Sequence, residues 1–211
     1  MRMPPFLRFL EPRIRPHSDG LAIRGHLRVE RQARGGPLEL VHDSKNFIVD
    51  VGLTALRDIL IGGNGGGFSG SIFRMAVGDG GCPPGQLFDP YLPDANWPAR
   101  TTLFYEMLRQ DVSTFLTPTS TSMRFVGSFN SIDLDPSSYS LTDEVVNEAC
   151  LIAGDGILIV GGDKKQVHKV PPDTIDPDEV MVSMRTFKSA SFSIAEDVTI
   201  TITWTLTLAK S

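Results

Sequence analysis

The sequence predicts a mainly β protein, an antiparallel β-sandwich or jelly-roll-like domain with one α-helix at about 46–62 and an extended N-terminal arm. Three observations predict it. Near the C-terminus, Val198, Ile200, Ile202, Trp204, Leu206 and Leu208 alternate with Thr199, Thr201, Thr203, Thr205 and Thr207. Period-two alternation places one strand face in a core and the other in water, and threonine's β-branch fits the pleat. Elsewhere, short apolar runs are separated by turn residues, in keeping with 20 glycines and 15 prolines. Only one segment shows clear helical spacing.

Taken in order, residues 1–20 contain Pro4, Pro5, Pro12 and Pro16. Proline fixes φ and removes a donor, so this stretch reads as an extended arm, separate from a single β-rich domain over 21–211. The apolar Phe6, Leu7 and Phe9 in the arm need burial somewhere, and a second subunit would supply it. Residues 21–43 read as a hairpin about Gly35–Gly36, with Ile23, Leu27 and Val29 before the turn and Leu38, Leu40 and Val41 after it. In 46–62, Leu53, Leu56 and Leu60 fall at i, i+3 and i+7, Ser44 or Asp50 caps the start, and Gly62–Gly63 ends the helix. A glycine-rich loop (62–70) leads to a buried strand at 71–78. Residues 82–100 are irregular, with five prolines, and a loop this long is either functional or covers another surface. Further strands are expected at Thr101–Gln110, Ser122–Ile132, Glu148–Ile152, Ile157–Val160 and Val180–Phe187. Asp133–Ser140 and Lys164–Glu179 read as loops.

Composition narrows the function. With 41% hydrophobic and 21% charged residues the chain is globular. Its net charge of -5 argues against nucleic-acid binding, which needs clustered cations. The charge is uneven: residues 1–34 hold eight arginines against Glu11, Asp19 and Glu30, a net of +5, which leaves -10 on the remainder. A basic arm on an acidic body attracts a neighbouring copy; the alternative is a solvated terminus. Two cysteines, Cys82 and Cys150, set no disulfide framework and read as small core residues. No apolar stretch approaches membrane-spanning length, and no secretory leader is evident.

No constellation points to catalysis, a cofactor or a metal. Gly65-x-Gly67-x-x-Gly70 matches a dinucleotide fingerprint as a string, but it follows a helix and precedes a strand, the reverse of what phosphate binding needs. GGDKK at 161–165 lacks the P-loop ending. His17, His26, His42 and His168 are scattered and read as exposed. His42-Asp43-Ser44 contains triad residue types without a nucleophile elbow. Two acidic runs, Asp133/Asp135 and Asp173/Asp176/Asp178/Glu179, lack a calcium-loop pattern and read as solvated loops. Of the two tryptophans, Trp204 belongs to the core side of the last strand. Trp97, in the long loop, either anchors a partner or folds back on its own domain.

Several segments in a fixed order resemble tailed-bacteriophage virion proteins. They are an N-x-I-x-x-x-G helix start at Asn46–Gly52, a glycine-ended strand at Met75–Gly80, an acid-containing strand at Asn147–Leu151, an R-T-F strand at Arg185–Phe187 and a final I-x-W at Ile202–Trp204. The resemblance covers roughly 42–211 and implies a β-rich structural component of a virion, assembled in the host cytoplasm, with no catalytic residue. The partners it implies are the chain itself and other virion proteins, in a tail, baseplate or fibre or as capsid decoration. Neither nucleic acid nor membrane is expected. The residues expected to meet partners are Phe6, Leu7, Arg8, Phe9, Arg13 and Arg15 in the arm, with Tyr91 and Trp97 in the long loop. A carbohydrate-binding alternative would use Trp97, Tyr91 and Asn96 against a host surface glycan.

Overall fold

A computed structural model describes residues 21–60, 71–94, 96–112, 114–154, 165–166 and 179–210. The arm, the 62–70 loop, the Ile157–Val160 segment and most of 164–178 lie outside them. The described residues form eleven strands and one α-helix, in order: β1 (Leu21–Gln32), β2 (Leu38–Lys45), β3 (Phe47–Ile48), α1 (Asp50–Leu60), β4 (Ser71–Gly78), β5 (Glu106–Asp111), β6 (Thr114–Thr119), β7 (Ser122–Asn130), β8 (Val145–Gly154), β9 (Lys165–Gln166), β10 (Glu179–Ser191) and β11 (Thr199–Lys210). They form two antiparallel sheets, β2-β1-β11-β7-β6 and β3-β10-β8-β4-β5-β9. The β-sandwich expected from the sequence is therefore present.

The core lies between the sheets. Leu27, Val29, Phe125, Phe129, Ile202 and Trp204 of the five-stranded sheet meet Met75, Val77, Leu151, Val182 and Phe187 of the six-stranded sheet. The alternation of β11 delivers this directly: its apolar residues from Val198 to Leu206 are fully buried, and its threonines are half-buried. Strand β11 is the third of five and pairs along its length with β1 and β7.

A second apolar cluster lies on the other face of the six-stranded sheet. There Ala76, Cys150, Ile152, Met181 and Met184 are covered by Val49, Trp97 and Leu103, with Tyr91 and Phe104 packed alongside. The molecule is thus three layers deep: sheet, sheet, and a cover made from the start of α1 and the long loop.

The structure departs from the sequence reading in particular places. The helix begins at Asp50, not 46, because Phe47 and Ile48 pair with Met184 and Ser183 of β10 as a short strand. Its packed face is Gly52, Ala55 and Leu56, while Leu53 is 45% exposed. Gly52 rests on the backbone of Val182, where a Cβ would overlap the carbonyl oxygen, so close approach rather than the leucine stripe sets the helix's orientation. The strand expected at Thr101–Gln110 starts only at Glu106, since the preceding residues belong to the cover. The expected Lys164–Glu179 loop contains β9, paired with Leu108 and Arg109, and ends in β10. Strand β6 was not expected and is exposed along its whole length.

The hairpin forms as read, with Gly35 at φ 70° in the turn. A β-bulge between Val29 and Glu30 shifts its register, so Leu38 and Leu40 pair with Gln32 and Glu30 on the polar face and stand 58% and 56% exposed.

Candidate functional site

The loop from Asp79 to Tyr105 has few repetitive backbone hydrogen bonds, so its N–H groups need acceptors from elsewhere. Strand β8 supplies them. Glu148, with no exposed surface, accepts the backbone N–H of Phe104 at 2.8 Å, Tyr105 at 2.6 Å and Gly80 at 3.2 Å. The adjacent Asn147 accepts the N–H of Gly81 through Oδ1 at 2.6 Å. Strand β10 adds a tie, with the hydroxyl of Thr186 donating to the carbonyl of Tyr91. Burial raises the Glu148 carboxyl to about 7, against the pull of those backbone hydrogen bonds and of Arg100. The Arg100 guanidinium lies over the Phe104 ring, 3.6 Å from its centre, and burial lowers its pKa.

Most of the residues that carry the resemblance occupy such joints. Asn46 donates through Nδ2 to Ser183 Oγ, whose hydroxyl in turn donates to the Phe47 carbonyl, tying the entry of α1 to β10. Gly52 sits flush on β10. Gly80 and Gly81 are held by β8, and Trp204 fills the main core. Glu148 lies inside the acid-containing segment, and its sequence signal was the Asn-Glu pair in a mostly apolar strand.

Among the residues expected to meet partners, Phe6, Leu7, Arg8, Phe9, Arg13 and Arg15 lie outside the described residues. Trp97 is 2% exposed, edge-on to Phe47 and Phe104 at ring distances of 6.1 and 6.5 Å. It folds back onto its own domain, because a loop crossing an apolar sheet face buries its largest side chain there. Tyr91 stacks on Phe104 at 4.9 Å and is half-buried. These two aromatics belong to the cover, not to an exposed patch.

Several further polar groups pair locally. His26 is exposed and pairs with Asp43 at 2.7 Å. His42, expected to be exposed, is half-buried against the Phe187 ring, and burial together with the charge of Arg185 lowers its pKa. His42 bonds Ser44 at 2.7 Å, but Asp43 points to the opposite face of β2, since successive strand residues alternate; the three do not converge. Asp135 caps its own turn by accepting the N–H and hydroxyl of Ser137. Glu179 pairs with Arg74 and Arg109, and Arg109 also holds Glu106 at 2.7 Å. Cys82 and Cys150 are buried free thiols, as read. Among the described residues, no group of three His, Cys, Asp or Glu side chains is placed to hold a metal, and no helix is long and apolar enough to cross a membrane.

An open surface remains at one mouth of the sandwich, where β2 and the end of β1 face the end of β10. Strand β10 loses register with β8 between Thr186 and Ala190, and Ser189 donates its backbone N–H to Leu87 of the long loop instead. The result is an open groove of about 420 Å³ lined by Arg31, Glu39, Leu40, Phe88, Lys188 and Ser191 among others. Arg31 crosses its end, donating to the Ser191 carbonyl at 2.9 Å and pairing with Glu39 and Glu196. Phe88 is 70% exposed, and Lys188 is exposed with no ion pair among the described residues. Two apolar flanks and a free cation suit a short apolar segment ending in a carboxylate. Compared with protein-family models, with curated proteins and with solved structures, the chain matches none of them.

Proposed function

We propose that the chain is a non-enzymatic structural component of a tailed-phage virion, assembling with itself and with neighbouring particle proteins through its arm and exposed loops, in the tail or baseplate. The observation that carries this reading is the convergence of the resemblance motifs. Segments at Asn46–Gly52, Gly80, Asn147–Glu148 and Thr186 meet at joints that dock the helix and the long loop on the six-stranded sheet, while Trp204 fills the main core beneath. Side chains used in this way supply rigidity, which a part that holds position in a particle requires. The carbohydrate-binding alternative is weaker, because Trp97 is enclosed and Tyr91 is stacked within the cover.

Mass spectrometry of purified particles from the source that expresses the chain, combined with cryo-EM, tests the proposal. A ring or small set of copies at the tail is the expected result. Many copies across the head shell would instead make it a decoration protein. Its absence from the particles would overturn the reading.

A further inference from the structure

We propose that the groove between β2 and β10 receives the N-terminal arm of a second copy, with Leu7 and Phe9 against Leu40 and Phe88 and with Glu11 on Lys188. This deepens the assembly reading above and rests on it.

The arm's sequence matches the groove's chemistry. Residues 6–11 contain no proline, and when they are laid down as an extended strand alternate residues share a side. Leu7, Phe9 and Glu11 then form one edge: two apolar side chains followed by a carboxylate. The groove presents the complement, with Leu40 56% and Phe88 70% exposed and Lys188 unpaired among the described residues. Arg8, on the arm's other edge, is a cation brought toward a body that is acidic overall.

Distance favours a second copy over the chain's own arm. Strand β1 starts at Leu21, paired with Lys210, and reaches the groove only at Arg31. Ten strand residues span about 33 Å. Glu11 precedes Leu21 by ten residues, so on its own chain it could cover that distance only when pulled taut, with nothing left for the reversal of direction. In a neighbouring copy no reversal is needed. Arm and groove are different patches, so the contact is heterologous and closes into a ring when the rotation between copies allows.

The test uses the full chain carrying Glu11→Cys and Lys188→Cys, oxidised and run on non-reducing gels. The native thiols, Cys82 and Cys150, are 7% and 2% exposed and serve as the background in single-cysteine controls. The expected result is a ladder of disulfide-linked oligomers that needs both new cysteines. A monomer with a closed internal loop, or no cross-link, would overturn the proposal. In the otherwise native chain, Phe88→Asp should weaken self-association roughly tenfold or more by native mass spectrometry, as expected for placing a charge in an apolar contact. An unchanged oligomer would also overturn it. The two proposals fail separately: no cross-link in a protein found in particles removes only the arm's seat, and a cross-linked oligomer absent from particles removes only the virion reading.

Discussion

Glu148 makes the stability of this fold depend on pH in a direction opposite to that of most carboxylates. Its folded-state pKa is about 7 against an ordinary 4.5, because burial outweighs the three backbone N–H groups it accepts. The folded protein therefore holds this proton more tightly than the unfolded chain. The contribution to stability is greatest below 4.5, falls as pH rises from 4.5 to about 7, and is flat above. The full gap corresponds to about 3 kcal/mol, and the part between pH 5.5 and 8 to about 2 kcal/mol. The perturbation is Glu148→Gln, which cannot titrate and keeps one oxygen for the loop. Urea denaturation of both proteins across pH 5.5 to 8 gives the difference in unfolding free energy, which cancels groups common to both, His42 among them. The wild type should lose about 2 kcal/mol relative to the variant over that range. A difference constant to within about 0.5 kcal/mol would mean that the N–H groups of Gly80, Phe104 and Tyr105 keep the carboxylate ionised throughout, and the reasoning would be refuted.

Two substitutions test the cover. Gly52→Ala places a methyl group against the Val182 carbonyl, which is backbone and cannot swing away, so α1 must shift. A loss of about 1–3 kcal/mol is expected in denaturant melts, although alanine is the better helix former. Trp97→Ala empties the centre of the second cluster and should cost about 3–5 kcal/mol. The measurement is the urea midpoint with unchanged slope, and a loss below about 1 kcal/mol would show that Trp97 is not core.

The legible parts of the fold were those decided by local periodicity. The Thr/apolar alternation of β11 and the Gly35–Gly36 turn need no knowledge of distant partners. The illegible parts were decided by contacts far away in sequence. Residues 46–49 continue the helical pattern, yet Phe47 and Ile48 are claimed by β10, more than a hundred residues on. A one-residue bulge beside Val29 turned two leucines outward, and nothing in their alternation announces it. Trp97 reads equally as anchor or core until the sheet face beneath it is known. Glu148 is a single acid in a mostly apolar strand, and its role depends on three N–H groups from a loop some 40 and 70 residues earlier.

The threonine column of β11 raises a question that register answers. A flat face of five threonines resembles a surface awaiting a partner, but β11 is internal to its sheet and each threonine is already half-buried. Thr207, Thr205, Thr203 and Thr201 stand beside Arg24, His26, Arg28 and Glu30 of β1, and on the other side beside Ser122, Arg124, Val126 and Ser128 of β7. These in-register neighbours leave each threonine half-buried, so the column is flanked on both sides within its own sheet. The demand for cover falls on the sheet's two edges. Strand β6 is blunted by Pro118, which cannot donate to an added strand. Strand β2 has no proline between Leu38 and Lys45, exposes two leucines, and adjoins the groove at the sandwich mouth. Of the two edges, β2 is the one without a proline and the one that adjoins the groove.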